Sequence, residues 1–197
     1  PKFPGKSALE VILCTLHAGG KFNAKAYSTS GGLNGVGSSV VNALSERLEV
    51  IVDRDGNRHH MAFARGKTTK PLNVLGKAKG TGTYITFKPD AEIFRETTVF
   101  QFGRISQRLR ELAFLNSGLE IIFTDERPAE AKPERYYYKD GVEEFVKQIN
   151  TGKTPLHPKP IRFTKETKLQ LDEKAAEIHC EIVLQYNDTY NDQVLCY

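Results

Sequence analysis

The sequence predicts a mixed α+β fold, and three features carry that prediction. Segments with apolar residues at helical spacing alternate with short runs rich in Val, Ile, Tyr, Phe and Thr. Asp55-Gly56-Asn57, lying between two such runs, is a hairpin signal. The composition, 39% hydrophobic and 26% charged, is that of a globular chain rather than a disordered or fibrous one.

The elements follow in order. Leu9, Ile12, Leu13 and Leu16 predict a first helix over 7–16, with Ser7 as N-cap and Glu10 completing a capping box. Residues 17–37 are rich in Gly and Ser and predict a loop. A second helix is predicted from Gly37 to about Arg47, with Val40, Val41, Ala43, Leu44 and Leu48 on its apolar side. Strands are predicted over 48–52 and 58–64, a basic loop over 67–79, and another strand over 83–87. Ile105, Leu109 and Leu112 predict a helix over 104–115, ended by Asn116-Ser117-Gly118 and followed by a strand over 119–123. Val142, Phe145, Val146 and Ile149 have the i, i+3, i+4, i+7 spacing of a helix face. Strands are predicted over 161–163 and 178–186. A composition shift around Asn150-Thr151-Gly152, with three prolines by Pro160, marks a domain boundary between 1–152 and 153–197.

Composition also excludes functions. With 197 residues, the chain accommodates a substantial core. No apolar run reaches the roughly 20 residues of a membrane-spanning helix. Three cysteines without a CxxC pair argue against a disulfide framework or a cysteine zinc site, and so for a reducing cytoplasm. A net charge of +4 does not by itself imply nucleic-acid binding. Pro1 in place of Met implies a piece of a longer polypeptide.

The most informative stretch is Gly31-Gly32-Leu33-Asn34-Gly35-Val36-Gly37, directly before the second helix. Glycines let a bulky ligand approach the backbone. A helix start offers free N–H groups and the positive end of its dipole, which suit a phosphate. Ser38 and Ser39 add hydroxyls. The stretch lacks the GK[ST] ending of a Walker loop, and its glycine spacing reverses the dinucleotide fingerprint. Spacing alone leaves two readings: a phosphate loop, or a surface loop with a helix cap.

The surrounding residues add a resemblance. Leu16-His17-Ala18-Gly19-Gly20-Lys21-Phe22, Tyr27 and the run from Ser30 to Ser45 resemble the ATP lid of the B subunits of bacterial type II DNA topoisomerases, gyrase and topoisomerase IV. Arg108-Leu109-Arg110-Glu111-Leu112-Ala113-Phe114-Leu115-Asn116, Thr124-Asp125-Glu126-Arg127, Thr154-Pro155-Leu156-His157-Pro158 and Gln185-Tyr186-Asn187-Asp188 are similar to that family in the same order. The resemblance spans essentially the whole chain.

It implies the GHKL (Bergerat) ATPase fold, a two-layer sandwich of helices on a mixed sheet, over 1–152, and the start of a transducer domain over 153–197. It implies ATP with Mg²⁺ as cofactors. Partners would be a second B subunit on ATP binding, the topoisomerase A subunit, which carries the DNA-cleaving tyrosine, and DNA. Gly31, Gly32, Leu33, Asn34, Gly35, Val36, Gly37 and Ser38 would wrap the triphosphate. Gly19, Gly20 and Lys21 correspond to the lid lysine and its glycines, and Tyr27 to a tyrosine at the adenine edge. Thr83 corresponds to a threonine below the adenine, Ile12 to an apolar pocket wall, and Arg54 to the arginine at the pocket mouth that aminocoumarins contact. The family carries His where this chain has Asn34, which still donates a hydrogen bond. His17 is read as structural. The family's general-base glutamate, magnesium-binding asparagine and adenine-reading aspartate match no residue here, so no catalytic or metal-ligating residue is assigned, and the chain alone is expected not to hydrolyse ATP. Two rivals are weighed: another ATPase of this fold, of the chaperone or mismatch-repair type, and a non-catalytic DNA- or protein-binding module using the lysines of 67–79.

Overall fold

The computed structural model describes residues 3–18, 34–171 and 174–197, with side chains described outside 168–177. The chain divides into two compact units, Pro1–Val99 and Phe100–Tyr197. The expected division at 152/153 falls inside the second.

In the first unit, α1 (Ala8–Cys14) and α2 (Gly37–Ala43) accompany a sheet of β1 (Ser45–Arg54), β2 (Asn57–Ala64), β3 (Lys67–Lys77) and β4 (Gly82–Pro89). The strand order is β3-β2-β1-β4, and every described pairing is antiparallel. The α+β class therefore holds. Ser7 caps α1 as its sequence requires, its Oγ accepting the Glu10 amide at 3.1 Å. Residues directly opposite in register share a face. Leu48 pairs with Phe63 and Val50 with Met61, so these four form one apolar face. Leu13 of α1 closes over that face, all five are at most 3% exposed, and Leu9, Cys14 and Val52 complete the cluster. The other face carries Glu49, Ile51 and His60.

Two hairpins build the sheet. Asp55 and Gly56 have φ of 52° and 74°, the type I′ geometry that an Asp-Gly pair favours. Arg65 and Gly66 repeat it at 47° and 77°. This second turn corrects the expectation of a basic loop over 67–79: residues 67–77 are strand β3. Arg is a poor signal for a left-handed turn, and Pro71 disguised the strand. The pairs Ala62–Lys70 and His60–Asn73 leave Pro71 and Leu72 opposite Met61 alone. Pro71 thus sits in a bulge, where a missing N–H is tolerated. Lysines, a proline and bulges on an exposed edge strand discourage pairing with another chain. That accounts for Lys67, Lys70 and Lys77 without a nucleic-acid partner. The second helix also ends earlier than expected, at Ala43 rather than near Arg47, because β1 begins at Ser45.

The second unit holds α3 (Phe102–Leu115), β5 (Glu120–Phe123), β6 (Glu134–Tyr137), α4 (Val142–Ile149) and the ribbon of β7 (Ile161–Leu171) and β8 (Lys174–Leu184). Strand β6 was not anticipated, and it shifts the buried side of α3. Ile105, Leu109 and Leu112 are only half-buried, whereas Ser106, Ala113 and Phe114 are buried. Tyr136 of β6 is 4% exposed. Its hydroxyl meets Ser106 Oγ at 2.8 Å and donates to Glu134. Burial, reinforced by Glu134, pushes its pKa above the usual tyrosine value. Phe114 stacks on Tyr138 and Phe145. The two motifs at 154–158 and 185–188 meet. Asn150 Nδ2 donates to Gln185 Oε1 and Asn187 Nδ2 to Asn150 Oδ1, both at 3.0 Å. His157 Nε2 accepts the Tyr186 amide at 3.0 Å, so Nδ1 carries the proton and donates to Lys159 O.

Two measurements test this packing. Phe63→Ala, at a position with no exposure, is expected to lower the stability of the first unit by about 3–5 kcal/mol in urea titrations. The second concerns acid. Arg58 holds the Asp53 carboxyl below the usual carboxylate range, and the Glu92 amide, with Arg65, does so for Asp90. Depressed folded-state values contribute stability above the unfolded pKa of about 3.9, lost as pH falls through the lower folded values. Urea midpoints should therefore drop below about pH 4, with a shallower slope in Asp90→Asn. An unchanged slope would remove Asp90 from this account.

Candidate functional site

The site residues fall into two groups on the helix-bearing side of the first unit, and several lie outside the described residues. Gly19, Gly20, Lys21, Tyr27, Gly31, Gly32 and Leu33 belong to the latter.

The helical group gathers where α1 ends and α2 begins. Gly35 has φ of 60°, a left-handed conformation that a β-branched residue strongly resists. Val36 is the N-cap of α2, with no side-chain cap bond, and its carbonyl accepts Val40 N–H at 2.9 Å and Ser39 Oγ–H at 3.0 Å. Valine has no side-chain acceptor, so the N-cap residue itself leaves the first-turn N–H groups uncapped. Among the described residues, a Cβ added to Gly37 would meet nothing within 4 Å. Asn34, Gly37 and Ser38 are exposed. Ser38 Oγ lies 3.4 Å from Ile12 O, tying the two helices and placing Ile12 beside the loop.

His17 has a larger part than sequence reasoning assigned. Its φ is 57°. Its N–H donates to Gly35 O at 3.1 Å and its Nδ1 to Asn34 O at 3.0 Å. A carbonyl only accepts, so Nδ1 carries the proton. Structural is the right word for it, and the structure it makes is a clasp joining the end of α1 to the start of α2. Asn42 was missed altogether. It is fully buried, and its Nδ2 donates to Leu13 O at 2.9 Å. Its signal in the sequence was a lone polar residue among Val40, Val41, Ala43 and Leu44.

The sheet group is Thr83 and Arg54. Thr83 pairs with Val52, Ile85 with Val50 and Phe87 with Leu48, so these β4 side chains share the face on which the helices lie. Thr83 is exposed, and Ile85 is 53% exposed. Arg54, two residues beyond Val52, projects to the same face at the end of β1. Its guanidinium is exposed and lies 3.5 Å from the Asp55 carboxylate. No described contact joins Thr83 or Arg54 to Ile12 or Ser38. An open groove lined by Glu49, Ile51, His60, Lys70, Asn73 and Leu75 lies on the opposite face and includes no predicted site residue.

Among the described residues, the groups gathered here suit recognition of a ligand. Burial raises the pKa of the Cys14 thiol, which disfavours its nucleophilic thiolate. Among the described residues no cluster of three His, Cys, Asp or Glu could hold a metal ion. Backbone amides at a helix start and the exposed Ser38 suit an anionic ligand.

Comparison with known proteins identifies the arrangement. No protein-family model matches the sequence. The DNA gyrase B protein of Staphylococcus epidermidis is 46% identical over 193 residues, 98% of this chain and 29% of that protein. The gyrase B protein of Halalkalibacterium halodurans is 46% identical over 190 residues, 96% of this chain and 28% of that protein. For that of Staphylococcus aureus the figures are 45%, 194 residues, 98% and 29%. The chain thus spans under a third of the length of these relatives. Among solved structures it matches the 43K ATPase domain of Thermus thermophilus gyrase B, crystallised with an aminocoumarin. There the TM-score is 0.71 at 37% identity, covering 96% of this chain and 45% of that one. Sequence and fold together show that the chain belongs to the gyrase B family of bacterial type II DNA topoisomerases, of which it matches a portion.

Proposed function

We propose that this chain is the ATP-binding portion of a topoisomerase B subunit whose nucleotide-driven pairing with a second copy powers DNA strand passage, in concert with the DNA-cleaving A protein. One observation carries the reading: 98% of the chain aligns with a DNA gyrase B protein, and the matched structure is described as an ATPase domain. In this reading residues 1–152 form the ATPase domain, residues 153–197 begin the transducer, and the protein works in the cytoplasm. Among the described residues no helix is long and apolar enough to cross a membrane.

The residues divide the work. The amides around Gly35, Val36 and Gly37, with the positive end of the α2 dipole, take the triphosphate. Asn34 adds a side-chain donor, and Ser38 adds another by exchanging its 3.4 Å bond to Ile12 O for the ligand. Gly31, Gly32, Leu33, Gly19, Gly20 and Lys21 complete this cradle, and Tyr27 meets the adenine edge. Thr83 reads the adenine from the sheet, Ile12 supplies an apolar wall, and Arg54 stands at the mouth. Mg²⁺ bound with the nucleotide would supply charge neutralisation, while the residues above bind and orient the triphosphate.

Two outcomes are expected. Binding of a non-hydrolysable ATP analogue with magnesium should weaken at least about tenfold in Gly35→Val, since a β-branched residue is strained at φ of 60° by more than the roughly 1–2 kcal/mol of an ordinary left-handed residue. Thr83→Ala should weaken adenine-nucleotide binding while leaving inorganic triphosphate binding unchanged. Equal affinities across parent and both variants would defeat the assignment of these residues. Separately, the purified chain should bind ATP but release no phosphate above the buffer background, because none of its residues matches the family's general-base glutamate; steady turnover would show that a base exists within it.

A further inference from the structure

Helix α2 has only seven residues, too few to hold together on helix propensity alone. The carbonyls at its C-terminal end and in the two residues that follow need donors. They find them in distant segments. Gly66 N–H donates to Asn42 O at 3.1 Å, Asp90 N–H to Leu44 O at 3.0 Å, and Arg65 N–H to Ser45 O at 2.8 Å. Ser45 Oγ adds a bond to Val41 O at 2.6 Å. The two left-handed residues of the β2–β3 turn make this approach possible. A Cβ at Gly66 would already stand 3.3 Å from Ala43 Cα.

The Asp90 carboxylate braces the turn. Its side chain is 3% exposed and lies 2.6 Å from Arg65 Nε. It also accepts the Glu92 amide at 3.0 Å. Arg65 in turn reaches Glu92 at 2.7 Å. Thus one ion-paired cluster, at the far end of α2 from Gly35 and Val36, fixes where that helix ends.

We propose that Arg65, Gly66 and Asp90 form a socket for the C-terminal end of α2, acting as positioning residues that aim the amides of residues 35–38 at the nucleotide phosphates. The nucleotide part of this inference rests on the phosphate-loop reading above. At about 1.5 Å per residue, α2 is a lever of roughly 10 Å. Loosening one end by a small rotation displaces the other by an amount that matters to a phosphate site.

The test pairs two readouts on the full chain, comparing parent, Gly66→Ala and Asp90→Ala. In amide hydrogen exchange, Val40 and Leu44 should exchange at least about tenfold faster in both variants, while Val50 and Met61 in the β1–β2 ladder keep their parent rates. In binding, affinity for a non-hydrolysable ATP analogue should fall about tenfold while affinity for adenosine changes less than twofold. Unchanged exchange at Val40 and Leu44, or an equal rise at Val50 and Met61, overturns the socket. So does an ATP-analogue affinity equal to the parent's, or a loss shared equally by adenosine. If the parent binds no analogue but exchange responds as expected, the nucleotide reading fails and the socket stands.

Discussion

The first unit depends on one dry contact surface, the face of the β1–β2 pair on which Leu48, Val50, Met61 and Phe63 meet Leu13. Neither helix of this unit exceeds seven residues. Both need tertiary support, because nucleating a helix is costly and short helices recover little of that cost. The apolar face anchors α1. The clasp of His17 on Asn34 and Gly35, and the amide of Asn42 on Leu13, then fix α2 relative to α1. Residues 34–37, the described end of the glycine loop, owe their position to this chain of contacts.

The polar partners in that chain are backbone groups to a large extent. Carbonyls flanking α2, those of Asn34 and Gly35 before it and of Asn42 and Leu44 at its end, accept donors from distant segments, whereas Val36, its N-cap, offers the first-turn amides no side-chain acceptor. This asymmetry is what an anion site needs. Donors already committed within the protein cannot greet a phosphate, and a helix with loose carbonyls could not hold its donors still.

The second unit uses a different device. Its helices and strands meet through buried polar and aromatic contacts: the hydroxyls of Ser106 and Tyr136, the stack of Phe114 with Tyr138 and Phe145, and the amide network of Asn150, Gln185 and Asn187. Buried polar networks are costly when incomplete and specific when satisfied. Asn150 has both ends of its amide engaged, and His157 has both ring nitrogens engaged. Two sequence motifs about thirty residues apart are thereby one structural feature.

Local signals were legible in the sequence. The Ser7 cap, the helical spacing of Leu9 and Leu13 and the Asp55-Gly56 hairpin act between near neighbours, so residue identity alone determines them. So did the ordered motifs that reveal the family. Tertiary structure decided the rest. Strand β3 hid behind Arg65 and Pro71, because a left-handed arginine becomes favourable only when Asp90 receives its guanidinium. Helix α2 stops at Ala43 because donors from Gly66, Asp90 and Arg65 reach the carbonyls of Asn42, Leu44 and Ser45. His17 becomes a clasp only once Asn34 is folded back upon it. In each case the deciding partner is at least 17 residues away along the chain, and that separation puts the interaction beyond any reading of local pattern.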